Sequence, residues 1–147
     1  MITENHQIAY RNVVSKYYNF VPEEIDIAMK DFDSILERQG LHTNGNMFFS
    51  ILSNPTEEVM TAEIFLTIEE DKFKNDTDEQ MFFRSYFSVK PMIMSRILED
   101  FDAASQEKYW ELVQYLQQRG FTQKTPVFVE FKNSFKGRNY VEMSIGI

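Results

Sequence analysis

Hydrophobic and polar positions along this chain follow two periods in turn, and the switches between them mark its elements. Ile8 to Val14 is β-branched and aromatic and predicts a strand, followed by Ser15-Lys16-Tyr17-Tyr18-Asn19-Phe20 and then by Pro22, which suits the first turn of a helix. From there Ile25, Ala28, Met29, Phe32, Ile35 and Leu36 recur at steps of three and four, while Glu23, Glu24, Asp26, Asp31, Asp33 and Glu37 fill the remaining arc. That is an amphipathic helix closed by Gly40, and its early acids suit the positive end of the helix dipole. After a polar turn through Gly45, Met47 to Leu52 and Val59 to Ile68 predict two strands joined by the turn formers Ser53-Asn54-Pro55-Thr56.

The second half repeats the plan. Met81 to Val89 and Met92 to Leu98 predict strands around a Lys90-Pro91 turn, and Ser105 to Arg119 predicts a helix with Tyr109, Leu112, Val113 and Leu116 on one face, closed by Gly120. Pro126 to Lys132 and Tyr140 to Ile147 follow as a strand pair around a loop containing Gly137. Setting Gln39-Gly40-Leu41 on Arg119-Gly120-Phe121 gives an offset of 80, which also sets Met47 to Ile51 on Val127 to Phe131. With a one-residue gap, Ala62-Glu63-Ile64 falls on Val141-Glu142-Met143. The expectation is an α+β fold of two βαββ repeats related by pseudo-two-fold symmetry, with the helices on one side of an antiparallel sheet. The repeats run from about 7 to 68 and from about 81 to 147, joined by an acidic connector over 69–79 in a single domain.

Composition narrows the picture. At 147 residues, 43% hydrophobic and 26% charged, the chain suits one globular domain able to stabilise a core without cross-links. The absence of Cys removes thiolate chemistry, zinc–thiolate sites and disulfides. The formal charge of −8 resides in two stretches, Pro22 to Gln39 and Glu69 to Glu79, each with six acids and two bases. No basic stripe is left for phosphate neutralisation, so nucleic acid is not an expected partner. No run approaches the roughly 18 apolar residues of a membrane span, and Met1 to His6 lacks the pattern of a signal peptide, so the expected location is cytoplasmic. His6 and His42 are the only histidines, one near the N-terminus and one in a turn, and the five glycines are scattered. A histidine-based triad, a metal site or a phosphate loop therefore has little material, and neither metal nor cofactor is expected.

Three stretches carry a resemblance to the gyrase-inhibitor-like (GyrI-like) domain, also seen as the effector-binding half of multidrug-responsive bacterial transcription activators. Pro126-Val127-Phe128-Val129-Glu130-Phe131-Lys132-Asn133, with Tyr140 to Ile147, resembles the family's late strand pair. Asn46 to Leu52 followed by Asn54-Pro55 is similar to its first-half equivalent, and Lys90-Pro91-Met92-Ile93-Met94 to the strand entering its second repeat. The resemblance covers roughly Gln7 to Ile147. It implies a cleft between the repeats, lined by strand residues and aromatic rings, that binds hydrophobic and often cationic small molecules, commonly with one Glu in the cleft. A desolvated carboxylate among aromatic faces attracts a lipophilic cation by charge and by cation–π contact.

Two positions compete for that acid. Aligned on Pro126 and Asn133 without gaps, the family's Glu falls on Val129; with a one-residue slip in the preceding turn it falls on Glu130. Period-two alternation puts Val127, Val129 and Phe131 on an apolar face suited to packing under helices, with Phe128, Glu130 and Lys132 opposite. In the last strand the same alternation sets Glu142, Ser144 and Gly146 against Val141, Met143, Ile145 and Ile147, and makes Glu142 a second candidate. Aromatic residues form 15% of the chain; Phe48, Phe128, Tyr17, Tyr109 and Trp110 are the rings proposed for the ligand, against the commoner role of such rings as core. The leading reading is a stand-alone small-molecule-binding protein acting by sequestration or sensing, since no helix-turn-helix precedes the first strand. A hydrolase of reactive cyclopropane-type electrophiles is the enzymatic alternative, with Glu130 or Glu142 polarising substrate or activating water. An acidic interaction protein, such as a gyrase-inhibitor-like accessory factor, is the third.

Overall fold

The structure is a computed structural model that describes residues 1–133 and 139–147. The Gly137 loop lies outside the described residues. The elements in chain order are β1 (Ile2–Phe20), α1 (Ile25–Arg38), β2 (Thr43–Ile51), β3 (Met60–Ile68), β4 (Phe82–Ile97), α2 (Phe101–Arg119), β5 (Val127–Asn133) and β6 (Asn139–Gly146). They form two compact units, one of Ala9–Ser88 and one of Met1–Ile8 with Val89–Ile147, so that β1 and β4 each contribute to both. The fold is α+β, mostly antiparallel, with two helices, and no described helix is long and apolar enough to cross a membrane.

Each unit has the same internal order. In the unit Ala9–Ser88, β3 pairs antiparallel with β1 on one side and β2 on the other; in the second unit β6 pairs likewise with β4 and β5. The hairpin registers also correspond. Phe48 faces Phe65 and Ser50 faces Glu63 in the first, and Phe128 faces Ser144 and Glu130 faces Glu142 in the second.

The helices form for the reasons their sequence patterns give. α1 is entered by a 3-10 turn at Pro22–Glu24 and buries Ala28, Met29, Phe32, Ile35 and Leu36, the expected stripe, with Phe32 against Tyr18 of β1 at 6.1 Å between ring centroids. Burying a side chain such as Phe32 contributes roughly 1.5–3 kcal/mol. Both helices end alike: Gly40 (φ 78°) and Gly120 (φ 71°) take the left-handed conformation, and the following Leu41 and Phe121 donate their N–H to Leu36 and Leu116 five residues back. α2 buries Leu112 and Leu116 and packs against β6, with Tyr109 and Val113 half-buried.

Several element boundaries differ from the sequence expectation, among them β2, which begins at Thr43 and runs through the Gly45 expected as a turn, and β1, which continues to Phe20 beyond Val14. β1 begins at Ile2 rather than Ile8 because its polar start is tied down in its own unit: Thr3 Oγ1 donates to Met94 O at 3.5 Å, and Glu4 accepts from Tyr115 and Arg119 of α2. Asn5 (φ 64°) and Asn12 (φ 55°) interrupt the regular alternation of this strand, which hides it from a period-two reading. Lys90-Pro91 is not a turn between two strands but lies inside the single strand β4, with a cis peptide between them. Pro91 is exposed, so the ring's missing N–H disturbs no buried ladder bond, and its carbonyl accepts from Ile147 N–H at 3.0 Å. α2 begins at Phe101, one turn before Ser105, with Ala104 N–H bonded to Asp100 O.

Candidate functional site

The register of β4, β6 and β5 decides which side chains share a face. Met94, Ser144 and Phe128 form one row across the three strands, and Arg96, Glu142 and Glu130 form the next. Alternation puts these on the side opposite Ile93, Val129, Met143 and Ile145, so Glu130 and Phe128 do stand opposite the apolar face of β5. Glu130 is 2% and Glu142 is 5% exposed. Two like charges directly across a ladder repel, and a buried carboxylate without a partner is costlier still.

The surrounding cations offset this. Arg96, the register partner of Glu142, donates from Nη2 at 2.7 Å and from Nε at 3.2 Å to Glu142 Oε2. That hydrogen bond, with the charge behind it, holds the Arg96 guanidinium above its ordinary value, and the group also lies 5.0 Å over the Tyr140 ring. Lys132 Nζ sits 3.2 Å from Glu130 Oε2, with about a third of its side chain exposed. His6 Nε2, from β1, is 3.3 Å from Glu130 Oε1. The ligand atoms of His6, Glu130 and Glu142 all lie within 4.8 Å of one another.

His6 is thus not at a frayed end. Strict alternation would put Glu4 and His6 on one side of β1, but Asn5 between them is left-handed, and the two side chains diverge, Glu4 to α2 and His6 to β5. Nothing in the pattern of Thr3 to Gln7 signals this. Arg96 was legible in principle: it follows the apolar Met92 and Met94 at period two.

Of the seven residues expected to meet the ligand, the structure brings Glu130, Glu142 and Phe128 together on this face. Phe48 and Tyr17 belong to the unit Ala9–Ser88. There Phe48 is fully buried, stacked on Phe65 at 4.6 Å and 7°, on Tyr10 at 5.2 Å, and against Phe87 at 5.5 Å. Tyr17 is half-exposed and meets Phe82 edge-on at 5.7 Å. Tyr109 and Trp110 lie on α2 and touch each other in a T-shaped pair at 5.2 Å, with Trp110 half-exposed.

Glu63 on β3 is also nearly buried and held by neighbours of its own unit. Ser15 Oγ donates to Glu63 Oε2 at 2.7 Å, and Arg84 Nη1 lies 3.7 Å from the same oxygen. Two surface hollows stand elsewhere. One of about 280 Å³ lies along α2 with Met1 and Ile2. One of about 620 Å³ is lined by Ile35, Arg38, Gln39 and Asp76 to Glu79. Neither includes Glu130 or Glu142.

The sequence profile of the family described as "Domain of unknown function (DUF5085)" matches residues 9–147. No curated protein matches the chain. Among solved structures, the fold is similar to EcmrR in a DNA complex (TM-score 0.70, 11% identity), covering 99% of this chain and 57% of that one. The chain therefore spans little more than half of that protein's length. It is similar to the EcmrR C-terminal domain (TM-score 0.65, 13% identity, covering 99% and 94%). It is also similar to a bacterial transcription regulation protein from Staphylococcus aureus MU50 (TM-score 0.51, 13% identity, covering 99% and 97%). At these identities the likeness is one of fold, and the fold is that of the GyrI-like domain.

Proposed function

This chain belongs to the DUF5085 family, and we propose that it is a small-molecule-binding protein whose ligand, hydrophobic and carrying a positive charge, docks on the Glu130–Glu142 face. The observation that supports this reading most directly is the pair of carboxylates buried directly opposite each other beside Phe128, with the half-exposed Arg96 and the partly exposed Lys132 as their cation shell. An aromatic cation that takes the place of Lys132 keeps Glu130 neutralised, releases the ammonium to water, and adds apolar area against Phe128. The matching hairpin registers support an internal duplication in which Glu63 and Glu142 correspond. The first unit then keeps its acid closed by Ser15 and Arg84, and the second unit uses its acid pair for the ligand.

The protein acts by sequestering that molecule or by sensing it for a partner. The relation in fold to a bacterial transcription regulation protein favours sensing. A thermal-shift screen of the wild type and Glu130→Gln against aromatic cations and their neutral isosteres tests the reading, because a ligand that binds only the folded state raises its stability by mass action. A shift with cations that Glu130→Gln loses is expected. Equal shifts with cations and neutral isosteres would remove the carboxylates from the site.

The 620 Å³ hollow favours a second reading. It gathers Asp76, Asp78 and Glu79 beside the end of α1, where Asp76 N–H bonds to Gln39 Oε1 at 3.3 Å. This is a surface for a basic protein segment. Such binding weakens steeply with salt and is unaffected by Glu130→Gln.

A further inference from the structure

We infer that His6, Glu130 and Glu142 form a binding site for a divalent first-row transition ion, best matched by Zn²⁺. The inference goes beyond the small-molecule reading and does not depend on it. One imidazole and two carboxylates are a donor set that such ions take with solvent in the remaining position. Bonds of about 2.0–2.2 Å to a tetrahedral ion put its donor atoms about 3.4 Å apart. His6 Nε2 and Glu130 Oε1 already stand at 3.3 Å, and the Glu142 donor lies within 4.8 Å of both. A small side-chain rotation closes the set.

Charge and burial point the same way. Glu130 and Glu142 come from adjacent strands and face each other in register, so their separation is fixed by the ladder rather than by flexible loops. A dication between them satisfies both carboxylates. A further observation is independent of the acids. Ser144 Oγ is wholly buried and has no hydrogen-bond partner among the described residues, and Ser144 stands two residues from Glu142 on the same face. A buried hydroxyl without a partner costs roughly 1–3 kcal/mol, and a metal-bound water on this face would give it one. His6 is delivered by the left-handed Asn5, without which the imidazole would follow Glu4 toward α2.

The test is a titration of the metal-free full chain with CoCl₂, followed by visible absorption and then by competition with Zn²⁺. One equivalent of Co²⁺ is expected to give d–d bands that one equivalent of Zn²⁺ abolishes. His6→Ala should weaken binding by about tenfold or more, as loss of a ligand does, while His42→Ala, which removes the exposed His42–Glu70 pair, should leave it unchanged. If circular dichroism shows His6→Ala unfolded, the wild type decides: with two histidines in the chain, Co²⁺ must shift the ring resonances of His6 ahead of those of His42. Binding that His6→Ala leaves intact, or a paramagnetic shift confined to His42, overturns the site. Aromatic cations should still stabilise His6→Ala, so failure of the metal site and failure of the small-molecule reading give different results.

Discussion

Arg96 is the residue on which the closed state of the carboxylate pair depends most. Arg96→Met keeps an unbranched apolar side chain and removes both hydrogen bonds to Glu142 together with the guanidinium over Tyr140. Glu142, 5% exposed, then faces Glu130, 2% exposed, without its guanidinium. Breaking a fully buried pair costs about 3–5 kcal/mol; because half of the Arg96 side chain is in water, solvent recovers part of that, and we expect about 2 kcal/mol. In a chain of this size that lowers the melting temperature by about 6–8 °C. Urea unfolding at neutral pH measures it. Adding Glu142→Gln removes the stranded charge, so the double variant should regain most of the loss, with a coupling of about 1.5 kcal/mol in the cycle. A loss below about 0.5 kcal/mol for Arg96→Met, or additive single variants, would refute the claim that these carboxylates are held by charge pairing inside the fold.

Three further outcomes follow from the structure. Phe48→Ala should cost about 3–5 kcal/mol in urea unfolding, since the ring is fully buried between Phe65 and Tyr10; a near-neutral result would make Phe48 a ligand contact rather than core. Gly146→Ala should cost about 1–3 kcal/mol, because its new methyl would meet Thr125 Cγ2 at 2.7 Å and Val89 Cγ1 at 3.1 Å; adding Thr125→Ser, which deletes the closest atom, should recover part of it. The His42 imidazole is held above its ordinary value by its hydrogen bond to Glu70 and by that charge, and Glu70 below its own chiefly by the His42 backbone N–H. A raised His42 stabilises the fold below its unfolded value and loses that as pH rises through the folded one; a lowered Glu70 stabilises above its unfolded value and loses that as pH falls through the folded one. The pair's contribution is therefore fullest between their ordinary values of 4.5 and 6.5, and the His42 titration midpoint followed by NMR should fall in Glu70→Gln; an unchanged midpoint would contradict it.

The elements that the sequence shows well are those in which one periodicity acts alone. The α1 stripe from Ala28 to Leu36 and the two glycine-closed helix ends appear as the pattern requires; β5 keeps the expected register, but Val127 to Glu130 are buried on both faces and Phe131, expected to pack under a helix, is exposed. β4 was harder, since a Pro inside a strand reads as a break, and only the exposure of Pro91 lets the strand run through it. The polar start of β1 gave no periodic signal, because its order comes from contacts with Met94, Tyr115, Arg119 and Glu130, all more than ninety residues away in sequence. The candidate site shows the same division. Glu130, Glu142 and Phe128 share a face that alternation and hairpin register make visible, whereas His6 and Arg96 reach it from strands paired at long range. The rings Tyr109 and Trp110 could not be placed from spacing alone, because adjacent positions on a helix point about 100° apart and either could face the sheet.

The most direct measurement is a calorimetric titration of an aromatic quaternary ammonium and its neutral carbon isostere into the wild type and into Glu130→Gln. Binding of the cation at one site, weakened about tenfold or more by the isosteric loss of charge in either partner, is the expected result. Equal affinity for cation and isostere, or a cation affinity that Glu130→Gln leaves unchanged, would contradict the assignment of ligand binding to the Glu130–Glu142 face.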